Sequence, residues 1–301
     1  MKRFDRARQI AALDPHTDYR QIYRLLFLYE FPWDLNESLS FALFRTYAVP
    51  SIGRLLQQTG EFTERTQKRY DDTALILDAI LVDGPDAGDG REALRRMNRM
   101  HRAYGISNDD LRYVLSTFVV VPTRWLDQFG WRRLTPAERA ATVNYYRDVG
   151  AHMGIKDIPE TYQGFEWLLD DYERSHFGFD DGSLAVADAT LDLMATFPPK
   201  HLLPKAAVRR FAYAVMDDPL LDAFRYPHPH PAVRAAARGA LSARAALVRL
   251  MPPRTTPKRV RDLPNIRSYP GGFDVRNLGT FPDRDLAPDA SPSQDRPTAT
   301  A

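Results

Sequence analysis

Apolar residues recur along this chain at intervals of three and four, the period of an α-helix, and alternation of the β type is scarce. The stretch Arg91–Trp125 shows the pattern most clearly. Leu94, Met97, His101 and Tyr104 share one stripe of a first helix, with Arg95, Arg99 and Arg102 on another face. Gly105 ends it, and Ser107 with Asp110 gives the signature of a new helix start. Leu111, Val114, Phe118, Val121 and Trp125 then form a second stripe. The other faces of this second helix are also apolar, which predicts the most buried helix of the fold. Its run Val119-Val120-Val121 would also suit a strand, but the apolar run is long for one and Pro122 would break a central strand.

The same period predicts the remaining helices. A short amphipathic one covers residues 3–13 and suits core packing or membrane contact. Asp18 caps a helix that Pro32 ends, Asn36 opens the next, and Pro50 bounds it. A helix over 51–59 stops at Gly60. Asp71 or Asp72 lies near the start of another, where the helix dipole favours negative charge. The alternative for that aspartate pair is a metal or acid–base site. Asp83 to Gly90 reads as a flexible loop, without the Lys-Ser/Thr of a phosphate cradle. Thr135-Pro136-Ala137-Glu138 is a capping box for a helix over 136–152. Further helices fall over 160–175, 184–196, 204–216, 217–225 and 231–250. Beyond Pro252 helix signals vanish. NIRSYPGGFDV is expected to pack on the body, and residues 283–301 to be disordered. The prediction is an all-α, single multi-helix domain over residues 1–282 with a proline-rich C-terminal tail.

Composition narrows the chemistry. With 41 basic and 39 acidic residues the net charge is only +2, which gives no nucleic-acid footprint. No cysteine is present, so thiolate metal sites, iron–sulfur clusters and cysteine nucleophiles are excluded. No apolar run approaches the roughly 20 residues of a membrane span, and the N-terminus lacks the hydrophobic segment of a signal peptide. A cytoplasmic protein, with peripheral membrane contact left open, is the expectation.

Seven histidines are the transition-metal ligands available besides carboxylates. His16, His228 and His230 sit in proline-rich turns and suit solvated or capping roles. His152 suits a helix C-terminus, and His201 carries no signal. His101, on an apolar stripe, and His176, at the end of an aromatic-rich helix, remain as ligand or acid–base candidates, the alternative being a core histidine. Arg45 in FRTYAVPSI reads as a buried hydrogen-bond anchor or an anion contact. No zinc-protease, hydrolase or dinucleotide motif is present.

The segments RMNRMHRAYGISNDDLRYVLSTFVVVPTRW, MGIKDIP, FALFRTYAVPSIGRLLQQTGEF, KRYDDTALIL, YERSHF and NIRSYPGGFDVRNLG resemble the fungal MpaB-like oxygenases and, more remotely, the rubber oxygenases called latex-clearing proteins. The likeness covers roughly residues 15–280. It implies a distantly globin-like fold, haem b, and oxidation of isoprenoid double bonds by dioxygen. Rubber oxygenases carry an arginine and then lysine-threonine-histidine two residues later on the haem-side helix. The same frame here reads Arg96-Met97-Asn98-Arg99-Met100-His101. Where that group has its proximal histidine, this chain has Tyr113, so the ligand does not carry over. The resemblance therefore implies His101 or His176 as axial ligand, with Tyr113 as a further candidate because tyrosine ligates haem iron in catalase. Arg96, Arg99 or Arg45 would pair with propionates or polarise dioxygen. Phe118, Trp125 and Phe165 would wall a pocket for a hydrophobic alkene. A haem-free iron oxygenase and a non-catalytic helical lipid- or isoprenoid-binding protein stand as alternatives.

Overall fold

The computed structural model describes residues 1–280, so the tail expected over 283–301 lies outside the described residues. Every regular element among them is helical. The chain begins with α1 (Asp5–Ala11) and α2 (Tyr19–Leu25), and a π-helical turn over Leu26–Glu30 leads to α3 (Pro32–Tyr47). Then come α4 (Pro50–Gln58), the one-turn α5 (Glu61–Glu64) and α6 (Thr66–Asp83). The two central helices are α7 (Gly88–Ala103) and α8 (Asn108–Phe129), followed by α9 (Pro136–His152) and α10 (Tyr162–His176). The described helices close with α11 (Asp181–Met194), α12 (Lys205–Val215), α13 (Asp218–Phe224) and α14 (Pro231–Leu250).

Local sequence explains most of these boundaries. Ser107 Oγ accepts from the Asp110 amide and starts α8, as its spacing predicts. Thr135 and Glu138 make both hydrogen bonds of the capping box on α9. His230 Nδ1 accepts from the Ala232 amide and caps α14. The α8 helix runs through Pro122 without a break, so the strand alternative for Val119–Val121 falls.

Three expectations need correction. Pro32 does not end a helix, nor does Asn36 open the next: Pro32 itself opens α3, because a proline at the first helical position lacks only an amide that would have no partner there. Gly88 and Gly90, expected in a loop, lie in the first turn of α7. The third concerns Asp71 and Asp72. They lie more than one turn inside α6, at most 1% exposed, and cap nothing. Both instead receive the C-terminal segment, as Asp78 does two turns on. Asp71 Oδ2 accepts from the amides of Arg267 and Ser268 at 3.0 and 2.8 Å, and Asp72 accepts from the Tyr269 hydroxyl. Asp78 Oδ1 accepts from the Val260 amide at 3.1 Å. NIRSYPGGFDV is thus ordered against the body as expected, fastened by carboxylates on one helix.

The helices share one hydrophobic core. α8 lies at its centre, packed against α3, α9, α10 and α14, while α6 pairs with α7 and α4 with α11. The α4–α11 crossing is close enough that a Cβ on Gly53 would meet Ser183 Oγ at 2.0 Å. Only glycine fits there.

Candidate functional site

Six longer helices, α3, α4, α6, α7, α8 and α9, leave a cavity of about 530 Å³ between them. Its walls are mostly aliphatic and aromatic: Leu43 from α3, Leu55 from α4, Ile76 from α6, Met97 from α7, Phe118 from α8 and Val149 from α9. Protein interiors are otherwise close-packed. A dry, unrelieved void of this size would cost on the order of 10 kcal/mol, comparable with the whole stability of a domain. The cavity is therefore a place that water or a ligand fills. A second cavity of about 80 Å³ shares Leu43, Thr73, Leu77, Phe118, Tyr146 and Val149 with the first and extends the apolar surface towards Tyr23 and Phe27.

His101 lines the large cavity from the last turn of α7. Its Nδ1 is buried without a hydrogen-bond partner among the described residues. Burial, and secondarily the positive charge of Arg69, pulls its pKa down to about 4. The imidazole is therefore neutral at physiological pH, the form in which histidine ligates metals. Arg69 enters the same cavity from α6, its guanidinium 4.8 Å from the Phe62 ring centroid and donating to Thr73 Oγ1. Tyr47, on α3, also lines the cavity. Its hydroxyl makes no hydrogen bond of ordinary geometry among the described residues, and burial raises its pKa against the smaller effects of the nearby Thr190 hydroxyl and of Arg69.

The other residues singled out from sequence lie elsewhere. Arg45 makes a two-pronged pair with Glu173 of α10, with Nε to Oε1 at 2.6 Å, and reaches Asp217 at 2.8 Å. Burial opposes its charge, but Glu173 and Asp217 outweigh it and hold the guanidinium above its ordinary range. It takes the anchor role offered for it, and both carboxylates occupy the fork that an anion would need. Tyr113 is fully buried, donating to the Arg45 carbonyl at 2.9 Å and to Glu173 Oε1 at 3.2 Å. Its ring stacks on Tyr172, which stacks in turn on His176 at 3.9 Å. His176 is exposed, and its Nδ1–H donates to the Tyr172 carbonyl at 2.9 Å. Neither Tyr113 nor His176 lines the cavity.

Arg96 is buried on α7 and donates to the carbonyls of Leu278, at 2.8 Å, and Thr280. It fastens the end of the C-terminal segment to the helix that carries His101. Arg99 is exposed. Of the expected walls, Phe118 faces the cavity. Trp125 packs on Phe41 and donates to Asp34, and Phe165 is fully buried, so both belong to the core. Of the six site candidates, the fold thus brings only His101 to the cavity.

Arg69, Thr73 and Tyr47 are the residues the sequence reading passed over. The signal was present: Arg69, Thr73, Ile76 and Ile80 share one stripe of α6, as His101 shares one on α7. A charged residue on such a stripe warrants the same scrutiny as a histidine.

This helical chain, with its apolar hollow and the inward His101, belongs to the family described as ER-bound oxygenase mpaB/B'/rubber oxygenase, catalytic domain, whose model matches residues 38–250. The chain is 31% identical over 293 residues to an ER-bound oxygenase mpaB' of Penicillium brevicompactum, a match covering 89% of this chain and 65% of that relative. An ER-bound oxygenase mpaB of Penicillium roqueforti is 31% identical over 65% of this chain and 72% of its own length. That of P. brevicompactum is 33% identical over 53% and 45%. The chain thus spans somewhat less than two thirds of the first of these relatives. Among the described residues, no helix is long and apolar enough to cross a membrane.

Proposed function

We propose that this chain is a haem-dependent oxygenase that oxidises a hydrophobic, isoprenoid-like alkene with dioxygen, and that His101 is its axial ligand. One observation carries the reading: a neutral imidazole with an unpartnered, buried Nδ1 stands on the wall of an apolar cavity of about 530 Å³. That volume lies within the range of small-molecule and cofactor sites. The donor set fits haem, whose porphyrin would supply most of the iron's ligands and leave His101 as the one that the protein would provide. Among the described residues no group of three or more His, Asp or Glu could hold a metal ion, whereas a haem-free iron oxygenase of the usual kind draws on two histidines and a carboxylate.

Haem bound here would supply the activation of dioxygen and its delivery to a carbon–carbon double bond. The protein's own part is to exclude water and orient the alkene. Phe118, Leu43 and Val149 offer apolar surface for it, continuous with the smaller cavity. Arg96 steadies the histidine-bearing helix through the carbonyls of residues 278 and 280. Family membership supports the oxygenase class; the alkene follows from the apolar lining and the sequence resemblance.

The test is haem titration of the purified protein with iron analysis. A Soret band saturating at one haem per chain is expected, with affinity falling at least 100-fold in His101→Ala while the fold is retained. No Soret band and no iron, with the apolar cavity still binding a prenyl alcohol, would leave a binding protein in place of an enzyme. Stoichiometric iron without porphyrin would point to the haem-free oxygenase.

A further inference from the structure

Apolar cavities do not ordinarily keep a guanidinium without a carboxylate. Arg69 does so: among the described residues no ion pair reaches it, and its one hydrogen bond goes to Thr73. The acidic residues near it are engaged elsewhere. Asp72 pairs with Lys68 and accepts from Tyr269, and Glu61 pairs with Arg65. Buried Arg6 and Arg96 are held by backbone carbonyls, and several other buried or half-buried arginines by carboxylates. Arg45 has Glu173 and Asp217, Arg132 has Glu30 and Glu138, and Arg244 has Asp34. Two more polar groups at the same cavity lack partners, the Tyr47 hydroxyl and His101 Nδ1, and Arg69 lies close enough for its charge to act on both. Burial destabilises an unpaired cation strongly, so a fold that retains one beside a hollow leaves room for its counter-ion.

We infer that Arg69 is a carboxylate-docking residue, and that the cavity takes an amphiphile whose acid group pairs with this guanidinium while its apolar chain runs past Phe118 into the smaller cavity. The planar fork of arginine suits a carboxylate, with Nη2 and Nε making no other hydrogen bond among the described residues. Tyr47 stands ready to donate a further hydrogen bond. The inference rests on the reading above that this cavity is the functional site, but it does not require haem. One chemistry, a carboxylate, has two sources here: the substrate's acid group, or a propionate of the cofactor.

Binding of oleate and of oleyl alcohol, measured by calorimetry at pH 8 on haem-free and haem-loaded full-length protein, separates these. For a substrate carboxylate, both forms bind oleate at least tenfold tighter than the alcohol, Arg69→Met abolishes the preference, and Arg69→Lys keeps part of it. For a cofactor propionate, haem loading removes the oleate preference and Arg69→Met weakens haem uptake at least tenfold. Thermal unfolding gives an independent readout. Removing an unpaired, half-buried cation should raise the Tm of Arg69→Met, or of Arg69→Gln if the methionine variant does not accumulate, whereas removing a structural arginine would lower it. Equal affinities for acid and alcohol with unchanged haem uptake, or a lowered Tm in both neutral variants, would overturn the assignment. Because the Soret band reads the haem proposal and the acid-to-alcohol ratio of the haem-free protein reads this one, either can fail alone.

Discussion

Two clusters in this protein look alike on paper and differ in kind. Around Arg45, a guanidinium, a carboxylate and a tyrosine hydroxyl meet in the interior, and each finds its partner: Glu173 takes both prongs, Asp217 the remaining amino group, and Tyr113 donates to Glu173 and to the Arg45 carbonyl. Around Arg69, a guanidinium, an imidazole and a tyrosine hydroxyl also meet, but Nδ1 of His101 and Oη of Tyr47 have no partner and a cavity opens beside them. A satisfied buried network stiffens a fold. An unsatisfied one costs stability and persists where something else completes it. The difference separates the anchor from the site better than residue type does, since both clusters hold an arginine and a tyrosine.

Breaking the closed cluster should produce the largest loss. Glu173→Ala leaves Arg45 with only the more exposed Asp217, and about 3–5 kcal/mol of stability should go in urea unfolding, with haem titration of the remaining folded protein unchanged. The open cluster answers instead to pH. Burial, and then the charge of Arg69, holds His101 at about 4 in the folded protein, below the ordinary histidine value of about 6.5 that the unfolded chain keeps, so the unfolded chain takes up the proton first. Stability of the haem-free protein therefore falls as pH drops from about 6.5 towards 4, by up to about 3 kcal/mol, with Arg69 the charged neighbour that adds to the effect. His101→Leu should flatten that acid limb; an unchanged slope would show that the ring does not sense the cavity. The smallest effect is reserved for Tyr113→Phe. It removes two hydrogen bonds from the closed cluster, costs about 1–2 kcal/mol, and leaves the Soret band in place. Loss of that band would make Tyr113 the ligand after all.

Much of this was legible beforehand because it is written in local patterns. The caps at Ser107 and Thr135 and the stripe of α8 placed their helices within a residue or two. His101 was legible for the same reason, as a polar residue on an apolar stripe. What periodicity cannot show is which stripes face one another. Arg45 follows Leu43 and Phe44 and His101 shares a helix stripe with Leu94 and Met97, and only the approach of α10 supplies Glu173 to one of them. Asp71 and Asp72 misled in the same way: their partners, Ser268 and Tyr269, lie about 200 residues further on, in a segment without helical signal. The pairing of Trp125 with Asp34 and Phe41, which removes that ring from the cavity wall, is likewise a matter of tertiary approach.

The carbonyls that hold Arg96 belong to residues 278 and 280, yet the helix they steady was complete by residue 103. On the ribosome, the His101 wall must wait for residues 278 and 280 to emerge before it can lock. Whatever fills the hollow therefore meets a finished pocket only after residue 280 has been made, and a chain broken off before it would reach its ligand with one wall unlatched.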